Sequence, residues 1–348
     1  MKAHRNLRRA LWLLAAAGVI AASPVSARGQ DKLEVVTTLS ILEYLAREVG
    51  GERVEVQSLG DPRQDPHFVQ PRPTLMKKTR DADVFIEVGL QLELWAQKVI
   101  DGAGNPSIQA GQPGRIVASA GISTMELPEV LSREWGDVHP YGNPHVWLDP
   151  VNVKRMAENI ANGLAAVDGA HAEHYARRLA AFNARLDNAL FGERLVADVG
   201  ARKLTRLAER GRLFEYVDSK GLSAQLGGWL KKAEALRGKQ VVTYHKTWIY
   251  FARRFGLDIA LEIEEKPGIT PSAKHRDHVI RTVTQNGIKV LLLSSFYNRS
   301  SSDYIAGRTG ASVVAVPIDL GAAEGVNTYF ELMDYLISQI GGPLEGGA

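Results

Sequence analysis

The chain has 348 residues, 45% of them hydrophobic, with a formal net charge of +3 and no cysteine. That is enough apolar material for a sizeable core and a length that suggests two domains, while Lys and Arg are too scattered to suggest a nucleic-acid partner. Without thiols the fold has no disulfides, no cysteine to accept a lipid, and only nitrogen and oxygen atoms to offer a metal.

The first segment reads as a targeting signal. Lys2, Arg5, Arg8 and Arg9 precede an apolar run from Leu11 to Ala22, and Val25-Ser26-Ala27 supplies small residues after it. The run is too short to span a bilayer comfortably, so residues 1–27 are expected to be a signal peptide cleaved after Ala27. The Arg8-Arg9 pair leaves the twin-arginine route open beside the general one. The mature protein is expected to be soluble, periplasmic and monomeric.

Strands and helices then alternate. Leu33 to Thr38 reads as a strand, Ile41 to Val49 as a helix closed by Gly50-Gly51, and Val54 to Leu59 as a second strand. A helix is predicted over Pro73 to Thr79, a buried strand over Val84 to Val88, a helix over Leu92 to Ile100 and a short strand at Ile116 to Ala118. Asp149-Pro150 is a helix start, with Asp as cap and Pro at the first helical position. That helix runs to about Ala166, and a longer amphipathic one follows over residues 170–195.

The alternation resumes in the second half. Strands are predicted at Val241 to Tyr244, Ile259 to Ile263, Val290 to Ser294 and Val313 to Val316. Helices are predicted over Lys246 to Phe255, Ser272 to Asn286, Ser302 to Thr309 and Thr328 to Ile340. The glycine-containing stretch Gly211 to Leu236 reads as a surface insertion or small lobe. The pattern predicts an α/β protein of two similar parallel-sheet lobes, residues 28–169 and 196–348, joined by one long helix over 170–195.

Three histidines stand out: Asp65-Pro66-His67, Asn143-Pro144-His145 and Thr243-Tyr244-His245. In open parallel sheets, ligands bind beyond the carboxyl ends of the strands. His245 lies just past one predicted strand end and Asp319 just past another, while His67 and His145 lie on connecting loops. Two candidates from each half fit a metal clamped between two lobes, and three imidazoles with a carboxylate make a tetrahedral zinc-type site. Glu264 and Glu265 rival Asp319 as the carboxylate. Asp149 reads as a helix cap, His139 as a loop residue with a second-ligand role as its alternative, His171 and His174 as residues on the exposed face of the long helix, and His275 and His278 as solvent-facing.

These motifs resemble the zinc/manganese solute-binding proteins of ABC importers. GDPRQDPHFVQPRP (Gly60 to Pro73) is similar to their first metal loop, and ADVFIEVGLQLELW (Ala82 to Trp95) to the strand and helix start that follow. NPHVWLDP (Asn143 to Pro150) and VVTYHKTWIYFARRFGL (Val241 to Leu257) are similar to their second and third metal motifs. The resemblance covers nearly all of the mature chain. It implies His67, His145 and His245 as metal ligands, with Asp319 in VPIDLGA as the fourth. It also implies ABC permease subunits as partners, with a periplasmic metallochaperone as a further one, and little domain movement about a rigid linking helix. Many zinc-type members carry a long His/Asp-rich loop between the first two ligands; here Leu127 to Tyr141 is short and holds one histidine.

Three imidazoles favour zinc over manganese, which prefers more oxygen, so high-affinity zinc capture is expected, with manganese or iron(II) as alternatives. A metal-chelate receptor lined by Trp147, Trp248 and Tyr244 is another class. A zinc hydrolase with Glu265 as base is a third, though the chain has no HExxH spacing. Because ligands bind deprotonated, affinity is expected to fall as pH drops through about 6.5, the range of an unperturbed imidazole.

Overall fold

A computed structural model describes residues 32–128, 139–266 and 268–345. The expected signal peptide over 1–27 lies outside the described residues, as does 129–138 of the loop between the first two metal motifs. From Lys32 onward the chain forms one compact unit.

The first lobe contains β1 (Leu33–Thr37), α1 (Ser40–Gly50), β2 (Val54–Ser58), α2 (Pro73–Thr79), β3 (Val84–Glu87), α3 (Ala96–Ala103) and β4 (Arg115–Val117). Its strands pair in parallel in the order β2-β1-β3-β4. Val35, Val36, Val84, Phe85 and Ile86 are all buried, so the central strands have no polar face. Helices cover both sides, which is why the sequence shows continuous apolar runs here rather than alternation.

Five helices follow: α4 (Pro150–Val167), α5 (Ala172–Phe191), α6 (Glu193–Val199), α7 (Ala201–Glu209) and α8 (Leu213–Ser219). The second lobe then holds α9 (Gly228–Lys232), β5 (Gln240–Thr243), α10 (Ile249–Phe255), β6 (Asp258–Glu262), α11 (Ala273–Asn286), β7 (Val290–Ser294), α12 (Ser300–Thr309), β8 (Ser312–Val316) and α13 (Tyr329–Glu345). Its sheet order, β6-β5-β7-β8, repeats that of the first lobe. In each sheet the winding reverses between the first and third strands, which opens a crevice at their carboxyl ends.

Several boundaries differ from expectation for local reasons. The helix predicted from Leu92 begins at Ala96. Before it, Leu90 and Gln91 turn the chain at φ 58° and 62°, and Glu93 points inward. Its carboxylate accepts from the Val88 and Gly89 amides and the Thr38 hydroxyl. The helix predicted from Lys246 starts at Ile249. The long helix predicted over 170–195 runs from Ala172 to Phe191, because Gly192 adopts φ 86° and ψ 142° and breaks the helical path before α6. His171 and His174, expected on its exposed face, contact Asp168 and the Gly50 carbonyl at 2.8 and 3.0 Å.

The stretch from Gly211 to Leu236 is not a surface lobe. Leu213, Val217, Trp229, Leu230, Ala233 and Leu236 are buried in the main core. Trp229 packs edge-on to Tyr329 at 6.1 Å between ring centroids, and its indole N–H donates to Asp334. The glycines here permit close packing: the backbones of Gly192 and Gly227 touch, and a Cβ on Gly192 would lie 2.5 Å from the Gly227 Cα.

Side chains stitch the lobes together. The Trp147 indole N–H donates to the Ile318 carbonyl at 2.7 Å, and the Tyr329 hydroxyl donates to the Trp147 carbonyl at 2.9 Å. Asp149 caps α4 as expected, accepting from the Val151 amide, and also receives the Arg254 guanidinium.

Candidate metal centre

The fold brings His67, His145 and His245 together. Each offers a ring nitrogen within 4.8 Å of the others, and among the described residues this is the group of side chains placed to hold a metal. His145 is 1% exposed and His245 6%, so the cluster is enclosed. His67 sits on a short 3-10 turn after β2, His145 heads another before α4, and His245 lies two residues past the end of β5.

The outward nitrogens are the informative ones. Asp65 Oδ1 accepts from the His67 backbone amide at 3.0 Å and lies 2.6 Å from His67 Nδ1. Asn143 Oδ1 does the same for His145, at 2.9 Å to both nitrogens. The repeated Asx-Pro-His motif is therefore one device used twice: the Asx side chain closes the turn and orients the ring two residues on. His245 Nδ1 is instead held 2.7 Å from Glu264 Oε2, on the loop after β6. With three acceptors on the three Nδ1 atoms, each neutral ring carries its proton outward and its Nε2 lone pair inward, the arrangement metal-ligating histidines need.

Electrostatics keep the centre ready for a cation. Burial, followed by the nearby His67 and His245, pushes His145 well below the ordinary imidazole range. A proton therefore competes for His145 only at pH well under the 6.5 expected for a free imidazole. Burial works against the Asp65 carboxylate, but hydrogen bonds and charge from His67 outweigh it and hold Asp65 below its usual range.

Asp319, expected as the fourth ligand, is not in that group of three. Its carboxylate accepts from the backbone amides of Ser40, Ile41 and Leu320 at 3.1, 2.7 and 2.9 Å. It thus caps the N-terminus of α1 across the lobe boundary, where Leu39 provides no side-chain cap. Burial pushes its carboxyl up to about 6 against the pull of those amides. Glu264, its rival, stands behind His245, and Glu265 is exposed.

Three groups that sequence reasoning had not assigned to the centre complete its surroundings. Asn143 donates through Nδ2 to Glu126 and to the Lys246 carbonyl, tying the second motif to the third. Tyr250 donates to the Asn143 carbonyl at 2.8 Å. Tyr297, on the loop after β7, places its ring 5.8 Å from His245, and burial beside Asp65 and Glu264 keeps its hydroxyl protonated. The sequence signal for Asn143 was its identical spacing to Asp65; Tyr297 has none.

Two parallel-sheet lobes with enclosed histidines between them define a metal-binding receptor. The family described as zinc-uptake complex component A, periplasmic, matches residues 35–190 and 220–341, and the chain belongs to it. Members are substrate-binding components of ABC transporters, so the chain is a metal-binding protein that serves a membrane permease and not an enzyme. The unmatched residues between the two stretches include α6, α7 and α8.

Among curated relatives, the iron-binding protein YfeA of Yersinia pestis is 27% identical over 89% of this chain and 85% of its own length. The manganese ABC transporter substrate-binding lipoprotein PsaA of Streptococcus pneumoniae is 32% identical over about half of each, 51% and 56%. A crystal structure of ZnuA superposes with a TM-score of 0.65 at 22% identity, covering 90% of this chain and 100% of that one. A manganese-bound periplasmic metal-binding protein from Candidatus Liberibacter asiaticus gives 0.62 at 21% identity, with coverage of 90% and 100%. These likenesses establish the fold. Among the described residues, no helix is long and apolar enough to cross a membrane.

Proposed function

We propose that the chain captures zinc in the periplasm, after export by a cleaved signal peptide, and delivers it to the permease. His67, His145 and His245 are the proposed ligands, and the observation that carries the reading is their inward-facing Nε2 set, each Nδ1 held by Asp65, Asn143 or Glu264. Three imidazole donors suit zinc, whereas manganese favours oxygen and higher coordination.

The competing reading is iron(II) or manganese. It is favoured by one observation, that the relatives above carry the printed names iron-binding and manganese. Titrating the metal-free protein with zinc, manganese and iron(II) against a competing chelator decides between them. Zinc is expected to bind tightest by at least an order of magnitude, following intrinsic affinity order. A tighter manganese or iron(II) complex would overturn zinc as cargo.

Release is proposed to come from the histidine-bearing loops rather than from wide opening of the lobes. The buried Asp149–Arg254 pair and the Trp147–Ile318 and Tyr329–Trp147 bonds hold the lobes together. Electron–electron distance measurements between spin labels on the two lobes should shift little with zinc; a large closure would contradict this.

A further inference from the structure

We infer that α7 is a docking strip for anionic phospholipid headgroups, which holds the receptor against the membrane around its permease. Arg202, Arg206 and Arg210 recur every fourth residue along one side of this nine-residue helix and its cap, and all three are exposed. At 1.5 Å per residue they form a row about 12 Å long. Among the described residues none of their guanidinium groups has an ion-pair or hydrogen-bond partner. Neighbouring cations do: Lys203 donates to the Tyr216 hydroxyl at 2.8 Å, and Arg212 pairs with Glu215 at 3.2 Å. Glu209 is the one carboxylate in the sequence of α7, set against four cations from Arg202 to Arg210.

This charge is local. Of the 42 Lys and Arg residues, Lys2, Arg5, Arg8 and Arg9 lie in the expected signal peptide, which leaves 38 against 39 Asp and Glu. The body of the protein is thus near neutral, and only a concentrated patch draws it toward an anionic surface. The row is also firmly seated. Leu204 and Ala208 are buried beneath it, and the Thr205 hydroxyl accepts from Lys154, which pairs with Asp187 at 2.6 Å. At the far end the Glu209 carbonyl accepts from Arg253 of α10, whose other terminal nitrogen lies 3.8 Å from Met125 Sδ. The Met125 carbonyl fixes the Asn143 amide, so the row ends beside the loop that carries His145. All of α7 falls between residues 190 and 220, in the gap between the stretches that match the family, so the shared pattern does not supply the row.

The chemistry favours lipid over a protein partner. Each guanidinium presents paired N–H donors that match phosphate oxygens. A protein interface draws its affinity from buried aromatic or apolar anchors. The large apolar side chains exposed among the described residues, such as Phe68, Leu94 and Tyr304, all lie outside α6 to α8. A headgroup layer asks only for charge, and each cation beside it strengthens binding roughly fivefold.

Sedimentation of the purified protein with lipid vesicles tests the inference. Binding is expected to vesicles of equal parts phosphatidylglycerol and phosphatidylcholine at low ionic strength, but not to phosphatidylcholine alone, and should weaken as salt rises to about 0.15 M. Replacing the row together, Arg202→Gln with Arg206→Gln and Arg210→Gln, should weaken binding on the order of 100-fold. The three Arg→Lys changes should keep most of it. Lys274→Gln with Arg281→Gln and Lys289→Gln removes as much charge from another exposed face and should leave binding within a few fold of wild type. Zinc affinity should be the same in all four proteins, so the outcome is separate from the choice of metal. Equal binding to neutral vesicles, or an equal loss in both Gln triples, would overturn the inference. If the Arg202, Arg206 and Arg210 triple binds vesicles like wild type yet docks less well on the permease in detergent, the strip meets an acidic protein surface and the lipid inference falls.

Discussion

Arg254 grips Asp149 with both arms of its guanidinium, Nε to Oδ1 at 2.7 Å and Nη2 to Oδ2 at 2.8 Å. The side chains are 5% and 4% exposed, and they join α10 of the second lobe to the N-terminus of α4 in the first. A bidentate pair this dry contributes little net stability over an apolar pair, yet removing one partner leaves a buried charge alone. Arg254→Ala and Asp149→Asn are therefore each expected to cost about 3–5 kcal/mol in urea unfolding. Asn keeps an oxygen for the Val151 amide, so its cost reports the ion pair rather than the cap. Combining Asp149→Asn with Arg254→Ala should cost less than the two singles added. Strict additivity would mean that the two side chains do not act as a pair.

The outer partners of the histidines make a second test. Glu264→Gln keeps an acceptor for His245 Nδ1 but removes the negative charge that strengthens the ring as a donor. Zinc affinity is expected to fall about 10–100-fold, as is typical for outer-shell partners, in chelator competition. Asp65→Asn should act similarly on His67. Complete loss of zinc in Glu264→Gln would mean instead that Glu264 ligates the ion itself.

Much of this centre was legible in the sequence, and the reasons are local. The Asx-Pro-His motif fixes turn and ring orientation within three residues, so His67 and His145 announce themselves. His245 follows from a strand end, which the apolar run Val241 to Thr243 marks. What stayed hidden depends on register and lobe packing. Glu264, nineteen residues from His245 in sequence, reaches it because β5 and β6 lie side by side in parallel. Asp319 was rightly placed at a strand end, but only the docking of two lobes reveals that it meets the bare amides of α1. The buried stretch around Trp229 looked like a surface insertion because its glycines resemble loop punctuation; they are there so that backbones can touch.

Glu93 supplies a pH-dependent test away from the histidines. Burial, helped by the nearby Glu87 charge, pushes its carboxyl from 4.5 up to about 7, against hydrogen bonds from Thr38, Val88 and Gly89. Below the unfolded value, folded and unfolded chains both hold the proton. Between 4.5 and about 7 the unfolded chain releases it while the folded chain keeps it, so stability falls as pH rises. Above about 7 the loss is complete. Glu93→Gln stays neutral throughout, so its stability relative to wild type should rise by on the order of 3 kcal/mol between roughly pH 4 and pH 8. Chemical denaturation at several pH values checks this, and parallel curves for the two proteins would show that Glu93 is ionised alike in folded and unfolded chains.

The contact between Gly192 and Gly227 gives the last test. Gly192 ends α5 at φ 86°, and an added Cβ would lie 2.5 Å from the Gly227 Cα, with only backbone there to give way. Gly192→Ala therefore combines backbone strain of about 1–3 kcal/mol with overpacking of a similar size. Gly200 has nearly the same backbone conformation, φ 88° and ψ 130° against 86° and 142°, but nothing lies within 4 Å of its would-be Cβ. Gly200→Ala should thus carry the strain alone. Thermal unfolding of the two variants separates the contributions, and Gly192→Ala should be the less stable by about 1–3 kcal/mol. Equal losses would mean that α9 is not held tightly on α5. The packing of Trp229 against Tyr329, and so of α9 on the closing helix α13, would then have to depend on the hydrogen bond from Trp229 to Asp334 instead.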